Sequence, residues 1–460
     1  MAPRGSPAAG NTARDRSNVE PLDHVEWWRP APRRVARDES MAHSRVAHAP
    51  VAFWSLMVFM GILLVAPQAF FPVLAPLRIA LLAAGVAMTA HVVSSLTAGR
   101  PILIMTREMK ISLCLLGWTI VTIPLSLWPG GSVDTLTDIY VKSLVLFWLI
   151  ANTVTTLSRF RQFAWGVTLM TVPISSFALV NYVSGTYVAG SDRIVGYESA
   201  LTSNPNDLAL TLNLFIPLIL ALLWITRRPL RRAILLAVLG LDIAGVILSF
   251  SRGGFITLVV ILAITSTRLL RSRRRSWGIG LLAVFFLCLP LLPGSFWHRI
   301  GTITDIDSDE TGSAQARREN TLGAIRFVLT HPIVGAGLGS NILALNEEIG
   351  STWRDVHNVY LQYAVDLGLP GLALFLALFS TCFAAASPGR SAVGRRRGAD
   401  DLTQFAQATR LSLIAFGVAG LFHPVAYHFY FYYLAGLASA LRLAEQRVRS
   451  QPGLTTVHSR

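Results

Sequence analysis

Apolar residues run along this chain in long blocks, not in the narrow stripes of a water-soluble helix or strand. Twelve blocks stand out, at roughly 51–71, 77–96, 111–128, 139–157, 163–183, 207–225, 233–250, 254–270, 277–293, 370–386, 411–427 and 429–443. About twenty apolar residues at 1.5 Å per residue cross a hydrocarbon layer of about 30 Å. Lipid offers no partner to a bare backbone amide, so each block is predicted to be a helix. The pattern therefore predicts an all-α, polytopic membrane protein with about twelve spans.

Polar residues punctuate the blocks unevenly. Arg227-Arg228-Pro229-Leu230-Arg231-Arg232 separates two spans, and a run with Arg271, Arg273, Arg274 and Arg275 separates the next two. Short arginine-rich loops stay in the cytoplasm. Alternation then puts Arg100, Arg107 and Lys110, Arg159 and Arg161, Arg390 with Arg395-Arg396-Arg397, and both termini on that side. The opposite face receives the loops near 129–138, 184–206 and 251–253, and one long segment, 294–369, between the ninth and tenth spans. Three regions follow: a tail over 1–50, a transmembrane body over 51–443 and a second tail over 444–460. The first tail is rich in Arg, Pro, Ala and Ser and is expected to be disordered. Met41 is an alternative start within it, and Trp27-Trp28 is its one aromatic feature.

Composition changes the picture only once the charge is located. Of 460 residues, 53% are hydrophobic and 14% charged, against about 25% charged in ordinary soluble domains. The net charge is nevertheless +15. Sorted by predicted side, the cytoplasmic face carries +21 and the outer face −6. The excess is an orientation signal, and no nucleic-acid partner is needed to explain it. Cys114, Cys288 and Cys382 lie far apart in apolar runs, which leaves no metal knuckle or disulfide framework.

Candidate chemistry collects among the outer polar residues. Arg252 stands in Ser251-Arg252-Gly253-Gly254, a tight turn at the start of a helix, where backbone amides and the positive dipole end favour an anion. A plain turn with a snorkelling arginine is the alternative, the glycines then serving only the sharp reversal. Asn204-Pro205-Asn206-Asp207 reads as a helix cap with proline at the first helical position, and Arg193 lies just upstream. The outer segment carries Arg317-Arg318-Glu319-Asn320. It continues to His331-Pro332-Ile333-Val334-Gly335-Ala336-Gly337-Leu338-Gly339, which lacks the Lys-Ser/Thr of a nucleotide loop and reads as a turn. Asp305-Ile306-Asp307-Ser308-Asp309-Glu310 fails the calcium-loop pattern and reads as a solvated loop.

His357-Asn358-Val359-Tyr360-Leu361-Gln362 opens a short helix expected to break at Gly368, ahead of Pro370-Gly371. A histidine at a helix start facing water would have its pKa lowered by the dipole and accept a proton, or it would simply cap the helix. Asp242 lies mid-span and is left without a role, while Lys142 sits near a span end and can snorkel. The aromatic stretch from Phe422 to Tyr433 is read as an interfacial belt, with sugar stacking as the second reading.

The order of these motifs carries a resemblance. Asn-Pro-Asn-Asp, the SRGG turn, arginine in a long outer loop, PxxGxGxG and HNxYLQ-x4-LGLPG together resemble the O-antigen ligase and O-antigen polymerase family of bacterial envelope proteins, over about 190–375. Thr321 stands where the family often has tryptophan, four residues after its loop arginine, so Arg317 and Arg318 remain alternatives. The resemblance implies a membrane glycosyltransferase that moves glycan from an undecaprenyl-pyrophosphate carrier to an acceptor hydroxyl outside the cytoplasmic membrane. Its partners would be that lipid-linked donor, a glycan or lipid-glycan acceptor, and membrane lipids. Arg193, Arg252 and Arg317 or Arg318 would hold the pyrophosphate, His357 would deprotonate or orient the acceptor, and Asn358 would position the histidine or the sugar. No metal or other cofactor is implied, because arginine forks stabilise the departing charge. A single displacement would invert the anomeric centre. A secondary transporter or lipid-linked-glycan flippase, and a membrane scaffold without chemistry, are the readings from other classes.

Overall fold

Caps and prolines set the helix ends in the computed structural model, which describes residues 50–188, 193–197, 204–272, 275–288, 313–350, 353–387 and 397–449, with 290, 294, 297 and 301. The readings of the first tail, of Asp305–Glu310 and of the residues past Arg449 fall outside them. Fifteen of the helices are numbered here: α1 (Pro50–Val65), α2 (Ile79–Thr97), α3 (Arg107–Thr122), α4 (Pro129–Thr135), α5 (Val141–Thr153), α6 (Leu157–Val183), α7 (Pro205–Ile225), α8 (Pro229–Leu248), α9 (Arg252–Leu270), α10 (Arg275–Cys288), α11 (Ser313–Thr330), α12 (Asn341–Ile349), α13 (Val359–Ala385), α14 (Arg397–Ala419) and α15 (Phe429–Arg449). No strand occurs among the described residues.

Six helices are long and apolar enough to cross a membrane: α2, α3 with the turn that follows it, α6, α7, α9 and α13. Two more, α1 and the apolar part of α10, are apolar but shorter. The remaining predicted spans fall on α5, α8, α14 and α15, which are shorter or carry charge such as Arg231, Arg232 and Asp242 in α8. Several ends differ from the apolar pattern. α1 stops at Val65 because Ala66 is left-handed and Pro67 follows. α14 begins well before its apolar run, at Arg397, and α15 continues to Arg449.

α7 is the central helix, with nearly every residue from Leu208 to Ile219 buried and with α6, α8, α9 and α14 packed around it. Pro217 cannot donate within it, and just before that proline the Leu214 carbonyl accepts from the hydroxyls of Ser412 (2.8 Å) and Tyr433 (3.1 Å) on α14 and α15. Asp242, unassigned in the sequence, accepts from Thr171 (2.9 Å) and Ser175 (2.8 Å) and so ties α8 to α6. Glu108 is fully buried and meets Arg442 at 2.8 Å, linking α3 to α15. Lys142 pairs with Asp138 at the surface.

The aromatic stretch is corrected by its burial. Tyr427, Tyr430, Phe431, Tyr432 and Tyr433 are each at most 2% exposed, so they cannot form a lipid-facing belt. They pack inward: Tyr363 stacks on Phe375, and its hydroxyl donates to the Ala426 carbonyl (2.7 Å) and lies 3.1 Å from that of Tyr432.

The glycine-rich turn after α11 is a strap across α13. Ala336 N donates to Val365 O (2.7 Å), Gly337 N to Asp366 O (2.8 Å) and Leu369 N to Pro332 O (2.8 Å). α13 is interrupted at Gly368, where φ is 69°, as the motif predicts. A Cβ there would collide with the Ile333 carbonyl, and one on Gly337 with Ser126. Strap and kink therefore require each other.

Candidate functional site

Two parallel helices, α7 and α9, start side by side at one end of the bundle. Asn204 caps α7 by accepting from Asn206 N (2.9 Å), and Ser251 caps α9 by accepting from Gly254 N (3.2 Å). The caps are joined, because Ser251 Oγ donates to Asn206 Oδ1 at 2.8 Å. Asn206 Oδ1 also accepts from a guanidinium N–H of Arg193 at 2.7 Å. Arg193 thus docks on the first turn of α7, and Arg252 occupies the first position of α9.

The SRGG motif works differently from the sequence reading. Phe250, with φ of 52°, makes the reversal, while both glycines lie inside α9. They are small for contact. A Cβ on Gly254 would strike Ala209 of α7, and one on Gly253 would come within 3.0 Å of Phe422. The first turn of α9 is thereby wedged between α7 and the α14–α15 loop.

These elements enclose a cavity of about 50 Å³ lined by Arg193, Asn206, Arg252, Gly253, Arg317, Phe422 and His423. Three of the predicted arginines therefore meet in one place. Arg318 does not join them; it is exposed and does not line the cavity. Among the described residues, no group of three or more His, Cys, Asp or Glu is arranged to hold a metal ion.

His357 stands beside this cluster, within electrostatic reach of Arg317 and His423. The helix begins at Val359, two residues later than expected. Asn358 is the cap, its Oδ1 accepting from Tyr360 N (2.9 Å) and Leu361 N (3.1 Å). His357 precedes the cap, and its pKa is lowered chiefly by burial, with Arg317 and Arg354 adding to the fall. The carbonyl and carboxylate of Asp355 act against that shift. Nδ1 lies 2.8 Å from the Asp355 carbonyl, which can only accept. Nδ1 therefore carries the proton, and Nε2 is left with its lone pair. Asn358 acts through the backbone, since both bonds of its oxygen hold the start of α13.

His423 and Asp207 were not singled out in the sequence for this site. His423 is 1% exposed, lines the cavity, and places Nδ1 3.8 Å from Asp207 Oδ1. Its pKa is pushed down to about 3 by burial first, then by Arg317, His357 and Arg193. The loop that carries it is clamped: Val359 N donates to Gly420 O (2.7 Å) and Ala426 N to Gln362 Oε1 (3.0 Å).

Residues 237–376 match the O-antigen ligase family. The match bears out the resemblance read from the motifs. It spans under a third of the chain and takes in Arg252, Arg317, Arg318, His357 and Asn358. Arg193, Asn206, Asp207 and His423 lie outside the ligase match, yet three of these four line the cavity with its arginines. With the apolar helices, the match supports a multi-pass membrane protein of the glycan ligase and polymerase kind. No curated protein matches the chain.

Proposed function

We propose that the chain is a membrane glycosyltransferase that moves glycan from an undecaprenyl-pyrophosphate carrier to an acceptor hydroxyl, at the outer face of the cytoplasmic membrane. The observation that carries this reading is the convergence of Arg193, Arg252 and Arg317 on one cavity at the start of α9, with His357 close by. Arginine forks and the first amides of α9 favour a multiply charged anion there. As the acceptor oxygen attacks the anomeric carbon, the bond to the pyrophosphate breaks and its electron pair passes to the leaving oxygen. The arginines stabilise that charge where it develops, without a metal. The acceptor proton moves to Nε2 of His357, which the Asp355 carbonyl keeps turned as a base. One displacement of this kind inverts the anomeric centre. The arginine-rich short loops, read as cytoplasmic, support a site on the opposite face.

The experiment is glycan transfer by the purified full chain from a lipid-linked donor, comparing wild type with Arg252→Ala and His357→Ala. Losing one charge-stabilising donor lowers turnover by about 100-fold or more, and losing the base has a comparable effect. Undiminished transfer in both variants would overturn the site.

A further inference from the structure

The proposed transfer uses the arginines and His357 and leaves His423 idle, although it lines the same cavity. Its surroundings argue against an idle residue. The ring is buried, and Nε2 makes no hydrogen bond. Buried polar nitrogens nearly always have a partner, so an orphan at a cavity wall points to a ligand atom. Looseness is not the cause. Phe422, its neighbour, is seated on Gly253, and the segment on either side is bonded to α13 through Gly420 and Ala426.

The charges facing the ring are Arg193, Arg252 and Arg317 around the cavity, Asp207 on α7 and His357 before α13. Burial and the neighbouring arginines favour the neutral imidazole, which holds one proton. On Nε2 that proton makes an unpartnered donor on a residue of the cavity wall, where the arginines collect an anion. A phosphate oxygen, which only accepts, holds the proton on Nε2, and Nδ1 keeps the lone pair at 3.8 Å from Asp207 Oδ1, beyond hydrogen-bond reach.

We propose that His423 is a fourth ligand of the anionic group held by the three arginines, its Nε2–H donating to a phosphate oxygen. This rests on the arginine cavity being the pyrophosphate site. A neutral donor adds direction to three diffuse cations: it selects a tetrahedral phosphoryl oxygen at one point of the wall and fixes the rotation of the leaving group about its own axis. His423 is thus a binding residue for the diphosphate of the donor, separate from the proton-accepting role of His357.

The test measures affinity of the detergent-solubilised full chain for inorganic pyrophosphate, by calorimetry, with four variants. Glutamine places an amide N–H near the position of Nε2, and asparagine places its own near Nδ1. His423→Gln is expected to bind within about threefold of wild type, and His423→Asn at least tenfold more weakly, as is His423→Phe. Equal binding by the glutamine and asparagine variants overturns the inference, and so does wild-type binding by asparagine. Because both are small and polar, the pair remains informative if the phenylalanine variant does not fold. Arg252→Ala separates the two levels. If it binds pyrophosphate as wild type does, the cavity is not the pyrophosphate site. If it loses affinity while His423→Asn does not, only the role of His423 fails.

Discussion

The arginine cavity and the glycine strap are both built from short polar motifs, and they use their polar groups in opposite ways. In the strap, the amides of Ala336, Gly337 and Leu369 all end on backbone carbonyls, and the glycines leave no room for a side chain. These backbone donors are satisfied internally. In the cavity, three cationic side chains face one space with a histidine whose Nε2 has no hydrogen bond. Motif density alone does not tell scaffold from chemistry. Where the hydrogen bonds go does, because a buried polar group without an internal partner is kept at a cost in stability of about 1–3 kcal/mol.

The difference can be broken most forcefully at the strap. Gly368→Ala forces a side chain into a left-handed backbone and onto the Ile333 carbonyl. A loss of about 3 kcal/mol or more is expected from strain and overpacking together. Thermal unfolding followed by intrinsic fluorescence should show a lower midpoint, with activity falling in step. An unchanged midpoint would mean that the strap is not scaffold. Cavity variants should do the reverse, losing activity while keeping their midpoint.

A smaller effect sharpens the cavity side. Arg317 lines the cavity and lowers the pKa of His357, whereas Arg318 is exposed and does not line it. A base with a lowered pKa works above that pKa and is lost as pH falls through it. The acid limb of the wild-type pH–rate profile therefore lies below the ordinary histidine value of 6.5. Arg317→Ala should cut turnover by about tenfold or more and move that limb to higher pH. Arg318→Ala should change neither by more than about twofold. Matching profiles for the two variants would dissolve the distinction.

Much of this was legible in the chain itself. Arginine is rare among the residues predicted to lie on the outer face, so Arg193, Arg252 and Arg317 stand out from the sequence alone. The break at Gly368 follows from Leu-Gly-Leu-Pro-Gly. Local patterns of this kind survive because they depend on residues a few positions apart. His423 was hidden for the converse reason. It lies in an aromatic run whose burial, and whose return onto α13 through Gly420, comes from packing between distant helices. The glycines of SRGG misled in a related way. They suit a reversal, but Phe250 makes it, and their smallness serves Ala209 and Phe422 from other parts of the chain.

Asn358 gives the smallest effect and the finest test, because it stands between scaffold and chemistry. It follows the proposed base, yet its oxygen is engaged by the amides of Tyr360 and Leu361. If capping is its whole contribution, Asn358→Ala costs about 1 kcal/mol, a midpoint shift of only a few degrees, and activity falls less than tenfold through a loosened His357. Aspartate and serine are good caps too. Asn358→Ser should therefore recover both stability and turnover, since it restores the acceptor without an amide. Restored stability with activity still depressed would show that the amide nitrogen touches substrate, and Asn358 would pass from the scaffold side of the comparison to the chemical one.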